Sequence, residues 1–319
     1  MNFSKVKLLI CICLFAVNVV FSFLLIRLVN EKNYLPEEEA VLAGKHLAKN
    51  GIHVDYDKDG RRLYNLPVYE VPNSDESTIP EACKKLTEAF FATAVEDSAF
   101  VKTPDGYSVS IKNKDEKLIG TASLSLDKHF KCSSENAVTD KETEEISKMP
   151  CLRSLETAKN NETSTARKFV DMAFRGTDIK YQMLGSEQYN GGEVVCFEEI
   201  LSGKRVINMY LNVYVKNGKI LCCVGKIPEN EAEKKYSTKL IDSVDIMYLL
   251  PEHISEIKNT DVVENISVKN YEIGYKMFDY NGNTDYIIPV WMIEYTCNGS
   301  ESEIMVIDAV TGMNMEKLK

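Results

Sequence analysis

The sequence lacks the short motifs that mark common catalytic and nucleotide-binding sites. It contains no G-x-S-x-G, no P-loop and no G-x-G-x-x-G run. Its histidines are few, and none forms an H-E-x-x-H motif or has another histidine four residues away. The four are His46, His53, His129 and His253. These absences predict a binding or regulatory protein that is not an enzyme, and they indicate no cofactor and no metal.

Positive charge is also scarce in this chain. Its 38 basic and 48 acidic side chains give a net charge of −10. Residues 1–30 hold three cations and no anion, Lys5, Lys7 and Arg27, so leaving these three out gives −13 for the rest. Phosphate backbones and anionic lipid headgroups repel a protein of this sign. Neither is expected as the main partner.

One long apolar run stands near the start of the chain, and nothing like it follows. It extends from Val6 to Val29, 24 residues whose two charges, Lys7 and Arg27, lie near its ends. At ~1.5 Å per helical residue it covers ~36 Å, more than a ~30 Å hydrocarbon core. It is too long for a signal peptide, and no Ala-x-Ala follows it. We expect an uncleaved single-pass membrane anchor, with residues 31–319 outside the cytoplasm.

A polar face on this run predicts a contact with another membrane helix. Asn18 lies in the middle of the run, where an amide is costly unless it is hydrogen-bonded. At helical spacing it shares one face with Cys11, Phe15 and Ser22. Such faces let transmembrane helices pack. The alternative is that Asn18 and Ser22 bond to carbonyl groups of their own helix.

The cysteines outside the run form no obvious framework. They are odd in number and contain no C-x-x-C. Two interpretations stay open, buried inert thiols or a hairpin disulfide from Cys196 to Cys222 or Cys223. The seven residues are Cys83, Cys132, Cys151, Cys196, Cys222, Cys223 and Cys297.

Periodicity predicts an α+β fold. Turn signals separate strand-like runs, and a helix followed by four strands occurs twice in 163–319. A helix is expected from Pro36 to Asn50, and the first of the two repeats begins with a helix around Phe169 that ends at Gly176. The second such helix is expected from Glu229 to about Leu249, with Tyr236, Leu240, Val244 and Tyr248 on one stripe. Its four strands are expected at 262–268, 272–280, 286–296 and 303–308.

Residues 127–162 are polar and turn-rich, which makes them the candidate boundary between two lobes. The predicted division is a cytoplasmic tail and anchor over 1–30, an N-terminal lobe with the linker over 31–150, and a C-terminal lobe over 151–319.

Two further local predictions concern the N-terminal lobe. Strands at 52–55 and 63–71 are expected to form a hairpin across Asp57-Lys58-Asp59-Gly60. Thr78 and Glu81 have the spacing of a capping box at the start of a helix.

Acidic clusters suggest cation sites without completing one. The runs that begin at Asp55 and Asp279 resemble calcium loops, but Leu66 and Val290 stand where the twelfth-position glutamate is needed. Turn formation explains both runs better. The adjacent acids Glu144-Glu145 and Glu198-Glu199 are interpreted as solvated surface.

The chain resembles the YycI-type regulatory proteins of low-GC Gram-positive bacteria, which are relatives of the YycH proteins. The similarity lies in the lead Met1–Lys7, in Leu47–Ile52, in Ile288–Trp291 and in Val306–Gly312. The last run also looks like the closing strand of PepSY-type domains, with Gly312 allowing a tight reversal after Asp308. Trp291 is expected in the core.

The resemblance implies partners and no substrate. Proteins of this family are membrane-anchored accessories of the cell-wall-sensing histidine kinase WalK (YycG), and they act together with YycH. A sensor histidine kinase and a YycH-type companion are therefore the implied partners in two-component signalling. The alternative function is that of a PepSY-like envelope protein that binds or inhibits a peptidase.

Overall fold

The computed structural model describes residues 37–49, 51–54, 65–72, 79–135, 137–149, 161–228, 231–258, 265–280, 284–299 and 302–315, together with 17, 21 and 22. In this part of the chain no helix has the length and apolar character needed to cross a bilayer. The predicted anchor, apart from Val17, Phe21 and Ser22, lies outside the described residues.

The chain is a mixed helix-and-sheet protein with a large sheet and few helices. The helices are α1 (Glu37–Lys49), α2 (Glu81–Phe91), α3 (Asp140–Ser147), α4 (Asn161–Ala173) and α5 (Ser243–Lys258). The first strands are β1 (Ile52–Val54), β2 (Asn65–Pro72), β3 (Val101–Thr103), β4 (Gly106–Lys112), β5 (Leu118–Ser125), β6 (His129–Ser134) and β7 (Tyr181–Tyr189). The others are β8 (Gly192–Leu201), β9 (Lys204–Lys216), β10 (Lys219–Lys226), β11 (Glu233–Lys239), β12 (Ile266–Tyr280), β13 (Thr284–Cys297) and β14 (Glu303–Asp308).

Contacts divide the chain into two compact units. Unit 1 comprises Met1–Leu66, Thr238–Tyr271 and Trp291–Lys319, and unit 2 comprises Pro67–Ser237 and Glu272–Val290. The predicted lobes 31–150 and 151–319 stay a prediction, since the proposed boundary adjoins residues 150–160, which lie outside the described residues.

Unit 2 is built on antiparallel hairpins whose strands alternate between two apolar faces. β7, β8, β9 and β10 pair in sequence, β6 pairs with β10, and β5, β4 and β3 continue the order. Successive side chains on a strand point to opposite faces. Cys223 accordingly belongs to one buried cluster and Cys222 to another.

Helices cover both faces of this sheet. On one face α4 buries Ala166, Phe169, Val170 and Ala173, whose spacing places them on a single helical stripe. The same cluster includes Leu86 of α2. On the other face Ile146 of α3 packs with Val194, Cys196 and Tyr214, among others. Because both faces are covered, the strands between them are apolar over long continuous runs.

Unit 1 joins α1 and α5 to the outer parts of β12 and β13. β1 pairs in parallel with β12, with Ile52 opposite Ile266, and β14 pairs with β13. The rings of His46 and Tyr248 meet edge to face at 5.2 Å. The buried side of α5 consists of Ile246, Met247, Leu250 and Ile254.

Several sequence predictions are confirmed by these elements. The helix predicted from Pro36 to Asn50 is α1, and the helix predicted around Phe169 is α4. The four strands that follow are β7 to β10. Their connecting turns place Asn190, Ser202, Asn217 and the glycines after them at positive φ, as two-residue hairpin turns require.

The predicted helix from Glu229 to Leu249 is wrong. Residues 233–239 form strand β11, and the helix begins only at Ser243. The buried stripe of α5 differs from the predicted one, since Tyr236 and Tyr248 are exposed. In the described part of the chain three strands follow this helix, where four were predicted, because residues 266–268 of one predicted strand and 272–280 of the next belong to the single strand β12.

The candidate boundary 127–162 contains β6 and α3, and β6 contributes Phe130 to the core. Two predictions for the N-terminal part are wrong. β1 pairs with β12 and β2 with β13, so the described parts of the two predicted strands do not pair with each other, and the predicted turn at 57–60 lies outside the described residues. α2 has Pro80 as its N-cap without a side-chain cap, whereas a complete capping box opens α3.

The six described cysteines favour the first of the two cysteine interpretations. Cys83, Cys132, Cys196, Cys222, Cys223 and Cys297 are all buried and free. Burial raises the pKa of Cys223 well above its ordinary value, which keeps this thiol protonated. The alternative interpretation, a hairpin disulfide from Cys196 to Cys222 or Cys223, is not supported, because all three of these cysteines are free. Cys151 lies outside the described residues.

Candidate functional site

The predicted membrane contact face falls almost wholly outside the described residues. Cys11, Phe15 and Asn18 are not among them. Ser22 is described, is helical and is exposed. The helix–helix contact therefore stays a prediction, and the chemistry in the described part lies elsewhere.

Two adjacent glutamates of β8 are buried, which corrects their interpretation as solvated surface. Glu198 is 0% exposed and Glu199 is 4% exposed. β8 lies between β7 and β9, and both of its faces are covered, so neither carboxyl can reach water. A sequence signal was present, since both acids lie within a strand that is otherwise apolar from Val194 to Leu201. The other acid pair is as predicted, with the Glu144 side chain 65% exposed.

Glu198 is held by an arginine from the next strand. Arg205 Nε donates to Glu198 Oε2, and Arg205 Nη1 donates to Glu272 Oε1 at 2.8 Å. Burial raises the pKa of Glu198, while the hydrogen bond from Arg205 opposes that rise. The guanidinium thus joins β8, β9 and β12 within unit 2, and Glu198 is a paired buried charge.

Glu199 has no such cation among the residues that the structure describes. It lies directly opposite Tyr181 of β7, and neither Glu199 Oε2 nor the Tyr181 hydroxyl has a hydrogen-bond partner among the described residues. Burial raises the pKa of Glu199 to about 8. Burial also raises the pKa of Tyr181 well above its ordinary value, and the charges of Glu199 and Cys223 add to this. Both groups are therefore protonated at neutral pH.

A third buried group links the β5–β6 turn with the start of β13. Lys128 Nζ binds Asp285 Oδ2, and the two side chains are 8% and 0% exposed. Lys128 has a φ of 67°, and its carbonyl accepts from Ile227 N at 3.2 Å. Asp285 is the last acid of the calcium-like run from Asp279, and it faces an ammonium group within a strand. The sequence did not predict this pair, because lysine and aspartate 157 residues apart carry no local signal.

These buried groups give unit 2 one chemical capacity, the uptake and release of a proton. The raised pKa of Glu199, about 8, places its titration just above neutral pH, whereas Glu198 and Asp285 each face a cation. No group of three or more histidine, cysteine, aspartate or glutamate side chains suits a metal ion in the described ranges. The arrangement fits a protein whose stability responds to pH.

The closing turn of unit 1 has the geometry that its sequence predicts. Asp308 Oδ1 accepts from Val310 N at 2.7 Å and from Thr311 N at 3.0 Å, and Gly312 has a φ of 75°. Trp291 is buried as predicted, and its Nε1 donates to the Ile241 carbonyl at 3.0 Å. Ile241 N in turn donates to the Ala309 carbonyl at 2.8 Å, so the closing turn is bonded to the segment that precedes α5.

Replacing Gly312 by alanine should destabilise the protein more than replacing Gly299. Both glycines have positive φ, and that strain alone costs about 1–2 kcal/mol for a residue with a Cβ. At Gly312 the new Cβ would also lie 2.8 Å from Leu249 Cδ1, whereas at Gly299 nothing lies within 4 Å. Overpacking should add about 1 kcal/mol or more. Equal urea midpoints for the two variants would contradict this contact.

The comparisons with known proteins identify the family. The family model described as "YycI protein" matches residues 92–310, more than half of this chain. The chain belongs to the YycI family. The YycI match begins just after α2 and ends inside the closing turn, so it includes Glu198, Glu199, Tyr181, Lys128 and Asp285. No curated protein matches the chain.

Three solved structures are similar at low identity. An uncharacterised protein from Eubacterium rectale has 12% identity and a TM-score of 0.44, covering 83% of this chain and 90% of its own. The YpeB C-terminal domain from Bacillus megaterium has 10% identity and a TM-score of 0.35, covering 88% of this chain and 96% of its own. YycH from Bacillus subtilis has 13% identity and a TM-score of 0.39, covering 79% of this chain and 55% of its own.

Proposed function

We propose that this YycI-family protein is a non-enzymatic, membrane-anchored regulator that associates with a sensor histidine kinase and modulates cell-wall two-component signalling. The observation that carries the proposal is the family match over residues 92–310. The apolar run from Val6 to Val29 supports it, because this run would hold residues 31–319 at the external face of the cell membrane beside such a kinase. A YycH-type protein is the proposed companion.

The proposed mechanism is a bias between two signalling states of the kinase. A partner can shift an equilibrium only by its difference in affinity for the two states. Couplings of this kind amount to about 1–3 kcal/mol, which a few helix–helix contacts in the membrane can supply. Asn18 and its face would make those contacts, and the two outer units would set the orientation of the anchor.

Cross-linking in native membranes tests this function directly. A photoreactive residue at position 15 would replace Phe15 on the proposed face, and trapped proteins would be identified by mass spectrometry. We expect a histidine kinase, alone or with a YycH-type protein. Recovery of a peptidase and no kinase would overturn the proposal and favour the PepSY-like alternative.

Replacing Asn18 by leucine should weaken the same complex. The change removes an amide that can bond across helices at a strength of ~0.6–2 kcal/mol, which corresponds to a roughly 3- to 30-fold loss of affinity. Val20→Leu is the matched control, because position 20 lies on the other side of a helix from position 18. Quantitative co-purification of the kinase measures the effect. Equal recovery with both variants would remove this face from the mechanism.

A further inference from the structure

Two cysteines lie directly opposite each other on neighbouring strands of unit 2. The antiparallel pairing of β6 with β10 places Cys132 opposite Cys223. Both residues are buried and free, and both belong to the cluster on the face that α4 covers, whereas Cys222 belongs to the cluster on the opposite face. Among the described cysteines this is the one pair whose members face each other across paired strands.

The spacing of such a pair fits a disulfide. Residues directly opposite on antiparallel strands have Cα atoms about 4.5–5.5 Å apart, and a disulfide is compatible with about 4.4–6.8 Å. Their Cβ atoms lie about 4.5–5.5 Å apart and must approach to about 3.5–4.5 Å, which is a small movement. Cys83 belongs to the same cluster, but it lies on helix α2, so no strand pairing aligns it with either cysteine.

We propose that Cys132 and Cys223 form a modification site, at which a disulfide joins β6 to β10. The oxidant is a second disulfide, either of a small molecule or of an oxidoreductase. The thiolate of one cysteine attacks a sulfur of the oxidant and displaces a thiolate, and the thiolate of the other cysteine then attacks the mixed disulfide. The two cysteines lose two protons and two electrons, and the oxidant becomes two thiols. This inference is independent of the proposed kinase contact, which lies on the anchor.

Burial decides when this bond forms. Burial raises the pKa of Cys132 and the pKa of Cys223 well above their ordinary values, and only the thiolate is reactive. The folded protein therefore reacts slowly, and the bond forms during folding, while oxidants still reach the two thiols. Once formed, the bond closes a loop of roughly 90 residues, which restricts the unfolded chain and so stabilises the folded one.

Refolding of the full-length chain from urea into detergent, with and without glutathione disulfide, tests the site. Free thiols are then alkylated under denaturing conditions, and tryptic peptides are identified by mass spectrometry. We expect one disulfide, which links the peptide that begins at Cys132 to the peptide that contains Cys222 and Cys223. The folded protein should form this disulfide more slowly, by roughly tenfold or more. Alkylation of every cysteine after oxidative refolding, or disulfides scattered over several pairs, would overturn the proposal.

Two single variants assign the bond to one of the two adjacent cysteines. Cys223→Ala should abolish the link to Cys132. Cys222→Ala is the matched control, because Cys222 is equally buried on the same strand, and it should keep the link. Circular dichroism confirms that both variants are folded. A link that survives in Cys223→Ala and is lost in Cys222→Ala would contradict the register of β6 and β10 on which the site rests.

Thermal unfolding gives an independent measurement. The oxidised wild-type protein should unfold at a temperature roughly 5–15 °C higher than the same protein after reduction. In Cys223→Ala the oxidised and reduced samples should unfold at the same temperature. A wild-type protein whose unfolding temperature is unchanged by reduction would contradict a disulfide at this site.

Discussion

Replacing Glu199 by glutamine should remove most of the stability loss that the wild-type protein shows between pH 5 and pH 8. Burial raises the pKa of Glu199 from 4.5 to about 8, so the folded protein holds a proton that the unfolded chain releases over this range. The free energy of unfolding then falls as the pH rises, by roughly 3–5 kcal/mol in total. The contribution is complete below pH 4.5 and is lost above about pH 8. Glutamine resembles the protonated carboxyl and cannot titrate.

The groups that face Glu199 do not obscure this effect. Tyr181 and Cys223 both have pKa values raised well above their ordinary values by burial, so both stay uncharged in the range. His129 acts in the opposite direction, because burial and the nearby Lys226 lower its pKa. The contribution of His129 to the pH dependence of stability is the same in the wild type and in the Glu199→Gln variant. It therefore cancels when the two pH dependences are compared.

Urea unfolding at pH 5, 6.5 and 8 measures the prediction. Glu187→Gln is the matched control, since Glu187 is an exposed glutamate of β7 in the same sheet. We expect the control to keep the wild-type pH dependence. A Glu199→Gln protein that loses as much stability with pH as the wild type would show that Glu199 is ionised in the folded state.

Replacing Lys128 by methionine should cost about 3–5 kcal/mol of unfolding free energy. The change leaves the Asp285 carboxylate buried without its cation, and Asp285 is 0% exposed. One of its oxygens, Oδ1, already has no hydrogen-bond partner among the described residues. The aspartate must then ionise in an apolar site or take up a proton, and either choice is unfavourable near neutral pH.

The double variant Lys128→Met/Asp285→Leu separates charge from packing. It removes both charges, so it should recover most of the stability that the single variant loses. Lys131→Met is the control, because Lys131 pairs with Asp140, whose side chain is 98% exposed, and little effect is expected there. If the double variant is as unstable as the single one, Lys128 stabilises the turn through its shape or backbone, and the ion pair is not the cause.

Local patterns predicted the middle of the sheet well. The helix with Ala166, Phe169 and Val170 and the hairpins β7 to β10 follow from a repeat of 3.6 residues and from two-residue turns, which act over a few residues. The same reasoning failed at 229–249. There Tyr236, Leu240 and Tyr248 have helical spacing by coincidence, and the pairing of β11 with β2 decided the structure of the first half.

The sequence by itself determined the long apolar run, the acidic character of the rest, the alternating hairpins and the closing turn of Asp308 and Gly312, because each depends on neighbours in the chain. Only the tertiary structure decided that Glu198 and Glu199 are buried, that Lys128 meets Asp285, and that β1 and β2 pair with β12 and β13. Those outcomes depend on which distant strand covers a given face. The sequence around a charged residue does not reveal whether its side chain will be buried. Burial is tolerated only when the fold supplies a partner of opposite charge or when a proton neutralises the group.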